Sequence, residues 1–201
     1  MLDWKDFSCD DLPGPLQAAR ELFARHGYHG TSIRAIAERA GLSVPGLYHH
    51  YASKQVILAE LVDHAIRQML RHTHAADAAA AGDARLRFDH VVKCLLLFHL
   101  QRREDAFIAS SEMRSMEPEV RHDHIMQRDE QQNMLRDIIE QGVREDVFDC
   151  AYPADAARAV ASLCVSVANW YRPDGPLTLS EVADRYLRFA QGMVGAHAAK
   201  P

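Results

Sequence analysis

The sequence predicts an all-α protein in which a small N-terminal helix-turn-helix head precedes a larger helical body. Residues 31–54, TSIRAIAERAGLSVPGLYHHYASK, contain two short helical segments separated by a glycine turn. Apolar residues recur at helical spacing through the rest of the sequence, which lacks a β-type alternation of useful length. Because a helix-turn-helix places its second helix in the DNA major groove, residues 31–54 predict a DNA-binding head.

The two short helices have recognisable start and stop residues. Thr31 or Ser32 can cap the first helix, and Ser43 can cap the second. Gly41 suits the left-handed turn position that ends the first helix. Pro45 falls in the first turn of the second helix, where a missing N–H costs nothing. The second helix is therefore the predicted recognition helix.

Further helical patterns surround this pair. A helix that follows residues 13–15, PGP, should pack across the pair as the third helix of the head, burying Phe23 against Ile36. Ser53 can cap a long helix that ends near residue 80 and joins the head to the body. The remaining helices are predicted at residues 84–100, 107–113, 119–146, 154–171 and 180–196. The predicted domains are residues 1–55 and 56–201.

Composition restricts the class of protein. The chain has 201 residues, 48% of them hydrophobic and 25% charged, which is enough to bury a sizeable core. A net charge of −5 argues against nonspecific coating of nucleic acid. Residues 12–55 nevertheless carry five basic residues against two acidic ones, as expected for a DNA-binding head on an acidic body.

We expect a cytoplasmic location. No apolar run approaches the length of a membrane span, and the acidic N-terminal residues do not have the pattern of a signal peptide. Four scattered cysteines without a C-x-x-C pair indicate buried thiols in a reducing compartment.

The helix-turn-helix stretch resembles a known family. AIAERAGLS and GLYHHYASK, preceded by AARELFARHGYHGTS and followed by VILAELVDHA, are similar to the N-terminal signature of the TetR family of bacterial transcriptional regulators. The similarity covers roughly the first quarter to third of the chain. It implies a homodimeric repressor that binds palindromic double-stranded operator DNA and carries a C-terminal ligand-binding and dimerisation domain.

The resemblance places DNA contacts in the head. The positions that match the family's contact residues are Thr31, Ser43, Gly46, Tyr48, His49 and Lys54. Ser32, Val44 and Pro45 complete the predicted set, Val44 and Pro45 because they begin the recognition helix and can reach base edges. Thr31 and Lys54 lie at helix N-termini, which favour phosphate, and the Tyr48 hydroxyl can donate to a phosphate. Alternatively, Tyr48 belongs to the core and His49 is only solvated.

The last two helices carry a candidate dimer surface. Residues 154–171 place small side chains on one stripe: Ala157, Ala161, Cys164 and Ala168. Residues 180–196 carry a larger apolar stripe: Val182, Tyr186, Phe189 and Met193. Two such helices from each subunit would form a four-helix bundle, although packing within one chain explains the same periodicity. The TetR resemblance favours dimerisation.

Two further stretches suggest an effector. Residues 110–121, SSEMRSMEPEVR, and 169–186 resemble a TetR subgroup that controls fatty-acid or sterol-ring breakdown, some members of which sense acyl-CoA thioesters. An apolar tunnel and cations for the phosphates would be needed. The candidate ligand-binding residues are Phe98, Phe107, Met113, Arg114, Trp170 and Arg172, with Arg102, Arg103 and Arg121 as further cations. Core packing of the apolar residues and solvation of the arginines are the more ordinary explanation of these residues.

Other functions have less support. A TetR-like regulator of an efflux pump that responds to a hydrophobic drug or metabolite is the main alternative. An all-α enzyme acting on a thioester is more remote, because the sequence has no nucleophile elbow, phosphate-binding loop or dinucleotide glycine motif. The twelve histidines do not form a metal-binding motif, so we expect neither a metal nor a cofactor.

Overall fold

The structure is a computed structural model that describes residues 2–9 and 11–197. Its helices are α1 (Gly14–Gly30), α2 (Ile33–Arg39), α3 (Val44–His50), α4 (Lys54–Ala78), α5 (Ala84–Gln101), α6 (Arg103–Ser111), α7 (Pro118–Arg144), α8 (Pro153–Trp170) and α9 (Leu179–Met193). A 3₁₀ turn, Glu112–Ser115, follows α6. Within the described ranges, β-type pairing is limited to an isolated bridge between Phe148 and Ala196. The all-α prediction is confirmed.

The length and hydropathy of a helix decide whether it can span a membrane. None of the helices formed by the described residues is both long and apolar enough to cross a bilayer.

The described residues divide into two compact units. The head unit comprises the described residues of 9–68 and 102–127, and the body unit those of 1–8, 69–101 and 128–201. The head unit therefore includes α6 and the 3₁₀ turn, which lie far along the chain from the helix-turn-helix. A single functional boundary at residue 55 stays a prediction.

The core of the head unit joins the first helices to later ones. Phe23 and Ile36 are fully buried in the same cluster, as predicted from their spacing. Leu47 anchors the recognition helix in this cluster, and Ile108 of α6 is buried there as well. Since burying a large aliphatic side chain stabilises by about 1.5–3 kcal/mol, α6 is a structural part of the head unit.

The body unit is built around α5, which is buried along nearly its whole second half and packs against α8 and α9. Ala157, Cys164 and Ala168 of α8 are buried inside the chain, and Val182 of α9 is buried too. Three of the four residues of the predicted small-residue stripe are therefore used for packing within the chain, while Ala161 is half-buried. Phe189 and Met193, on the other side of α9, are exposed.

Reactive side chains in this core are held in their uncharged forms. Burial lowers the pKa of His99 to about 4, so its imidazole is neutral near pH 7. Burial likewise raises the pKa of the Cys164 thiol to about 12. Among the residues that the structure describes, no group of three or more His, Cys, Asp or Glu side chains is placed to hold a metal ion.

Helix α1 is interrupted near its end. Gly27 has φ +71° and ψ 168°, a combination outside the helical region and one that residues with a Cβ rarely adopt. The chain then makes a last turn through Tyr28 to Gly30 before α2 begins. Glycine is therefore required at position 27 for its backbone conformation.

Replacing this glycine should destabilise the protein. We expect Gly27→Ala to lower the free energy of unfolding by about 1–3 kcal/mol, because alanine is strained at this φ and ψ. Gly14→Ala is the matched control, since Gly14 begins α1 and a Cβ added there meets nothing within 4 Å. Urea unfolding measures both variants. Equal stability of Gly27→Ala and Gly14→Ala would contradict the account of the break.

Candidate nucleic-acid interface

The turn between α2 and α3 is closed by backbone hydrogen bonds. Gly41 has φ +69°, and its N–H donates to the Glu38 carbonyl. The Leu42 N–H donates to the Ala37 carbonyl at 2.8 Å. This pair of bonds satisfies carbonyls at the end of α2 and fixes the direction in which the chain leaves it. The turn predicted from Gly41 is confirmed.

Both short helices begin with a serine cap. The Ala35 N–H donates to the Ser32 hydroxyl oxygen at 3.1 Å, which identifies Ser32 rather than Thr31 as the cap of α2. The Gly46 N–H donates to the Ser43 hydroxyl oxygen at the same distance, and Pro45 occupies the first turn of α3 as predicted. Ser32 and Ser43 are both exposed, so each cap lies at the surface.

One face of α3 packs inward and the other is open to solvent. Leu47 is fully buried, and Tyr51, immediately after the helix, is also buried. Pro45, Tyr48 and His49 are exposed, with 48% of Tyr48 accessible, and their spacing places them on one helical face. Tyr48 is therefore not a core residue. Val44 and Gly46 are half-buried at the start of the helix.

Thr31 and Lys54 are committed to bonds inside the head unit. The Thr31 side chain is buried, and its hydroxyl donates to the Gly27 carbonyl at 2.8 Å. The Lys54 ammonium donates to the carbonyls of Tyr28 and Thr31, each at 2.8 Å, and lies 4.1 Å from the centre of the Tyr28 ring. Both side chains thus stabilise the break in α1, and their assignment as DNA contacts stays a prediction.

The sequence did not reveal the group that satisfies the other side of this break. The Tyr28 N–H donates to the Glu112 carboxylate at 3.2 Å. Glu112 begins the 3₁₀ turn and is 84 residues away in the chain. No local pattern links two such distant positions.

Ion pairs reduce the positive charge predicted for the head. Arg20 lies 3.5 Å from both Glu104 and Asp105 of α6, and Arg39 donates to Glu21 at 2.8 Å. Arg25 and Arg34 are exposed. Because several of the five basic side chains have acidic or carbonyl partners, we expect DNA recognition by α3 to depend more on shape and hydrogen bonding than on bulk charge.

The predicted ligand-binding residues occupy different environments. In the body unit, Phe98 is buried against Phe7, with ring centres 5.5 Å apart. Trp170 is 43% exposed and stacks on Tyr186, while Arg172 is exposed. In the head unit, Phe107 and Arg114 are exposed, and Met113 packs against the core cluster of that unit.

A pocket of about 210 Å³ lies in the head unit between α4 and α7. Its lining residues are Ala59, Glu60, Val62, Asp63, Val120, Asp123, His124 and Gln127. The six predicted ligand-binding residues do not line it. Its lining includes carboxylates and no lysine or arginine, which is opposite to what the phosphates of an acyl-CoA require.

Comparisons with known proteins agree with this geometry. Residues 16–61 match the family described as bacterial regulatory proteins, tetR family, and residues 80–194 match the tetracyclin repressor-like C-terminal domain. The chain belongs to the TetR family. It is a DNA-binding transcriptional regulator of the helix-turn-helix type, as predicted, and since the family consists of regulators the enzyme alternative is set aside.

Individual TetR-family relatives cover nearly the whole chain. The HTH-type transcriptional repressor KstR2 of Mycobacterium tuberculosis is 30% identical over 184 residues, covering 88% of this chain and 89% of KstR2. A crystal structure of a tetR-family regulatory protein from Rhodococcus RHA1 has a TM-score of 0.86 at 28% identity, covering 92% of this chain and 97% of that protein. AibR, solved with isovaleryl coenzyme A and operator DNA, has the same fold, with a TM-score of 0.77 at 20% identity over 91% of this chain and 97% of AibR.

We expect the exposed hydroxyl of Tyr48 to contribute to DNA affinity but not to stability. Tyr48→Phe should weaken operator binding by about tenfold, because a hydrogen bond to a charged group contributes about 1.5 kcal/mol or more. The melting temperature should not change. Tyr152→Phe is the matched control, since Tyr152 is 74% exposed and belongs to the body unit. Titration of labelled operator DNA at fixed salt measures the affinities, and an unchanged affinity in Tyr48→Phe would refute the assignment.

Proposed function

We propose that this TetR-family protein is a homodimeric repressor that releases a two-fold symmetric operator when a small hydrophobic effector binds. The first candidate effector is an acyl-CoA thioester. The observation that supports operator binding most directly is the exposed face of α3. Pro45, Tyr48 and His49 are exposed to solvent on this face, and Leu47 anchors the opposite side of the helix in the core. A cytoplasmic location belongs to the same proposal.

The exposed side of the last helices supports dimerisation. Phe189 and Met193, one helical turn apart on α9, are 58% and 44% exposed. Tyr186 stacks on Trp170 with ring centres 5.5 Å apart and contacts the Phe189 ring edge-on at 5.6 Å. These rings form a continuous aromatic patch that water would otherwise cover, and burial against a second subunit would stabilise it. Trp170 is thereby assigned to the dimer surface in preference to an effector tunnel.

The acyl-CoA proposal depends on the relatives. KstR2 is a transcriptional repressor described as a ketosteroid regulator, and AibR was crystallised with isovaleryl coenzyme A. These properties belong to those proteins. We extend the acyl-CoA effector to this chain because residues 110–121 and 169–186 resemble the lipid-catabolism subgroup.

The pocket between α4 and α7 favours a second candidate. Its volume of about 210 Å³ is below the roughly 300 Å³ at which pockets begin to enclose drug-sized ligands. Val62 and Val120 supply apolar surface, while Glu60, Asp63 and Asp123 supply negative charge. A small hydrophobic compound that is neutral or cationic suits this lining better than CoA phosphates do. This is the chemistry expected of a regulator that responds to a hydrophobic drug or metabolite.

We infer that the effector acts through α4. This 25-residue helix contributes Lys54–Gln68 to the head unit and its later residues to the body unit. An effector that binds one conformation more tightly shifts the population toward it, and DNA must shift it back by the same coupling free energy. A shift of α4 would change the separation of the two recognition helices in the dimer.

The test is binding of the purified protein to the DNA upstream of its own gene, at one fixed salt concentration, because phosphate contacts make affinity strongly salt-dependent. The titration is repeated with acyl-CoA thioesters, with the matching free acids, and with small hydrophobic amines. We expect two chains per operator and release by one thioester but not by its free acid.

The other outcomes are equally informative. Release by an amine and by no thioester would discard acyl-CoA and retain the second candidate. Binding that none of these compounds disturbs would contradict both effector classes. A protein that remains monomeric on the operator would refute the dimer proposal.

A further inference from the structure

We propose that Glu112 is a positioning residue for DNA recognition. Its carboxylate, which comes from the 3₁₀ turn after α6, fixes the break in α1 and through it the orientation of the helix-turn-helix pair. This inference depends on the operator binding proposed above, and it gives residues 110–121 a role in the head unit.

The break in α1 at Gly27 takes the backbone out of the helical conformation. Unpaired N–H and C=O groups that are removed from water cost about 1–3 kcal/mol each, so they need partners. At Tyr28, two charged side chains supply partners: its N–H donates to Glu112 at 3.2 Å, and its carbonyl accepts from Lys54 at 2.8 Å as well as from the Thr31 N–H at 3.3 Å. Tyr28 is thus held on both sides of its backbone by side chains from other elements.

Glu112 is itself fixed in orientation. The Ser115 hydroxyl donates to the second carboxylate oxygen of Glu112 at 2.8 Å. The same hydroxyl lies 3.3 Å from Nε2 of His29, which follows Tyr28. Because both carboxylate oxygens have partners, rotation of the carboxylate would break two bonds.

The 3₁₀ turn also contacts the start of α4. The Gln55 side-chain amide donates to the Ser115 carbonyl at 2.6 Å. Gln55 follows Lys54, whose ammonium holds the Tyr28 and Thr31 carbonyls. Glu112, Ser115, Lys54 and Gln55 therefore form one connected set of bonds around the end of α1.

This set of bonds leads directly to the DNA-reading helices. Thr31, whose carbonyl accepts from Lys54, is followed at once by Ser32, the cap of α2. The closed turn at Gly41 then fixes α3 relative to α2. A change in the path at Tyr28 consequently changes the direction in which both helices are presented.

The placement of Glu112 is supported from α6. Arg20 of α1 lies 3.5 Å from both Glu104 and Asp105, and Ile108 is buried in the core of the head unit. With α6 packed along α1 in this way, the 3₁₀ turn that follows it begins at a fixed position beside the break.

The test compares specific with nonspecific DNA binding. We expect Glu112→Ala to lower operator affinity by about tenfold, as loss of a hydrogen bond to a charged group does. Affinity for unrelated DNA should stay the same or rise slightly, since removing a carboxylate makes the protein less negative. A residue that only stabilises the fold would leave both affinities unchanged while the protein is folded.

Three further variants make the test decisive. Glu112→Gln keeps an acceptor oxygen and should retain affinity within about threefold, while Ser115→Ala, a milder change if Glu112→Ala does not fold, should lose about threefold. Asp129→Ala removes an exposed carboxylate from α7 in the body unit and controls for charge.

Two negative results have different meanings. Wild-type protein without any preference for operator over unrelated DNA would refute the proposed function. A wild-type preference that Glu112→Ala and Ser115→Ala both retain in full would overturn the positioning role alone.

Discussion

The geometry of the DNA-binding head depends on how the backbone of one residue, Tyr28, is held by other elements. Gly27 ends the regular part of α1 with a backbone conformation that suits glycine, and side chains from other elements bond to the backbone of the next residue. Lys54 and Glu112 bind the carbonyl and the N–H of that residue, Tyr28. A helix break that would otherwise be flexible becomes a fixed bend, and α2 and α3 follow from it.

Holding the bend in this way uses charges that would otherwise be available to DNA. The Lys54 ammonium is occupied by two carbonyls, and Arg20 and Arg39 have carboxylate partners. The face that we propose meets DNA therefore consists mainly of the serine caps and the exposed side chains of α3, Tyr48 and His49. Such a surface favours recognition by shape and individual hydrogen bonds over electrostatic attraction, in agreement with the acidic net charge of the chain.

Local features of the sequence predicted most of the fold and part of the site. The roles of Ser43, Gly41 and Pro45 depend only on residues a few positions away in the chain. Spacing alone was therefore enough to infer them. Periodicity identified the stripe that includes Ala157 and Cys164, but it could not decide whether that face meets another helix of the same chain or of a partner. The direction of the Lys54 side chain and the contact with Glu112 depend on tertiary packing between distant segments, which one sequence does not encode in any readable pattern.

Amide hydrogen exchange at Tyr28, followed by NMR in the free protein, tests the central claim most directly. If Glu112 holds this N–H, the Tyr28 amide should exchange roughly a hundredfold more slowly than an unstructured amide. Its protection should fall in Glu112→Ala while the amides of α1 before Gly27 keep theirs. Exchange of Tyr28 at the rate of an open chain, with the earlier part of α1 still protected, would show that the bend is not held and would contradict the account.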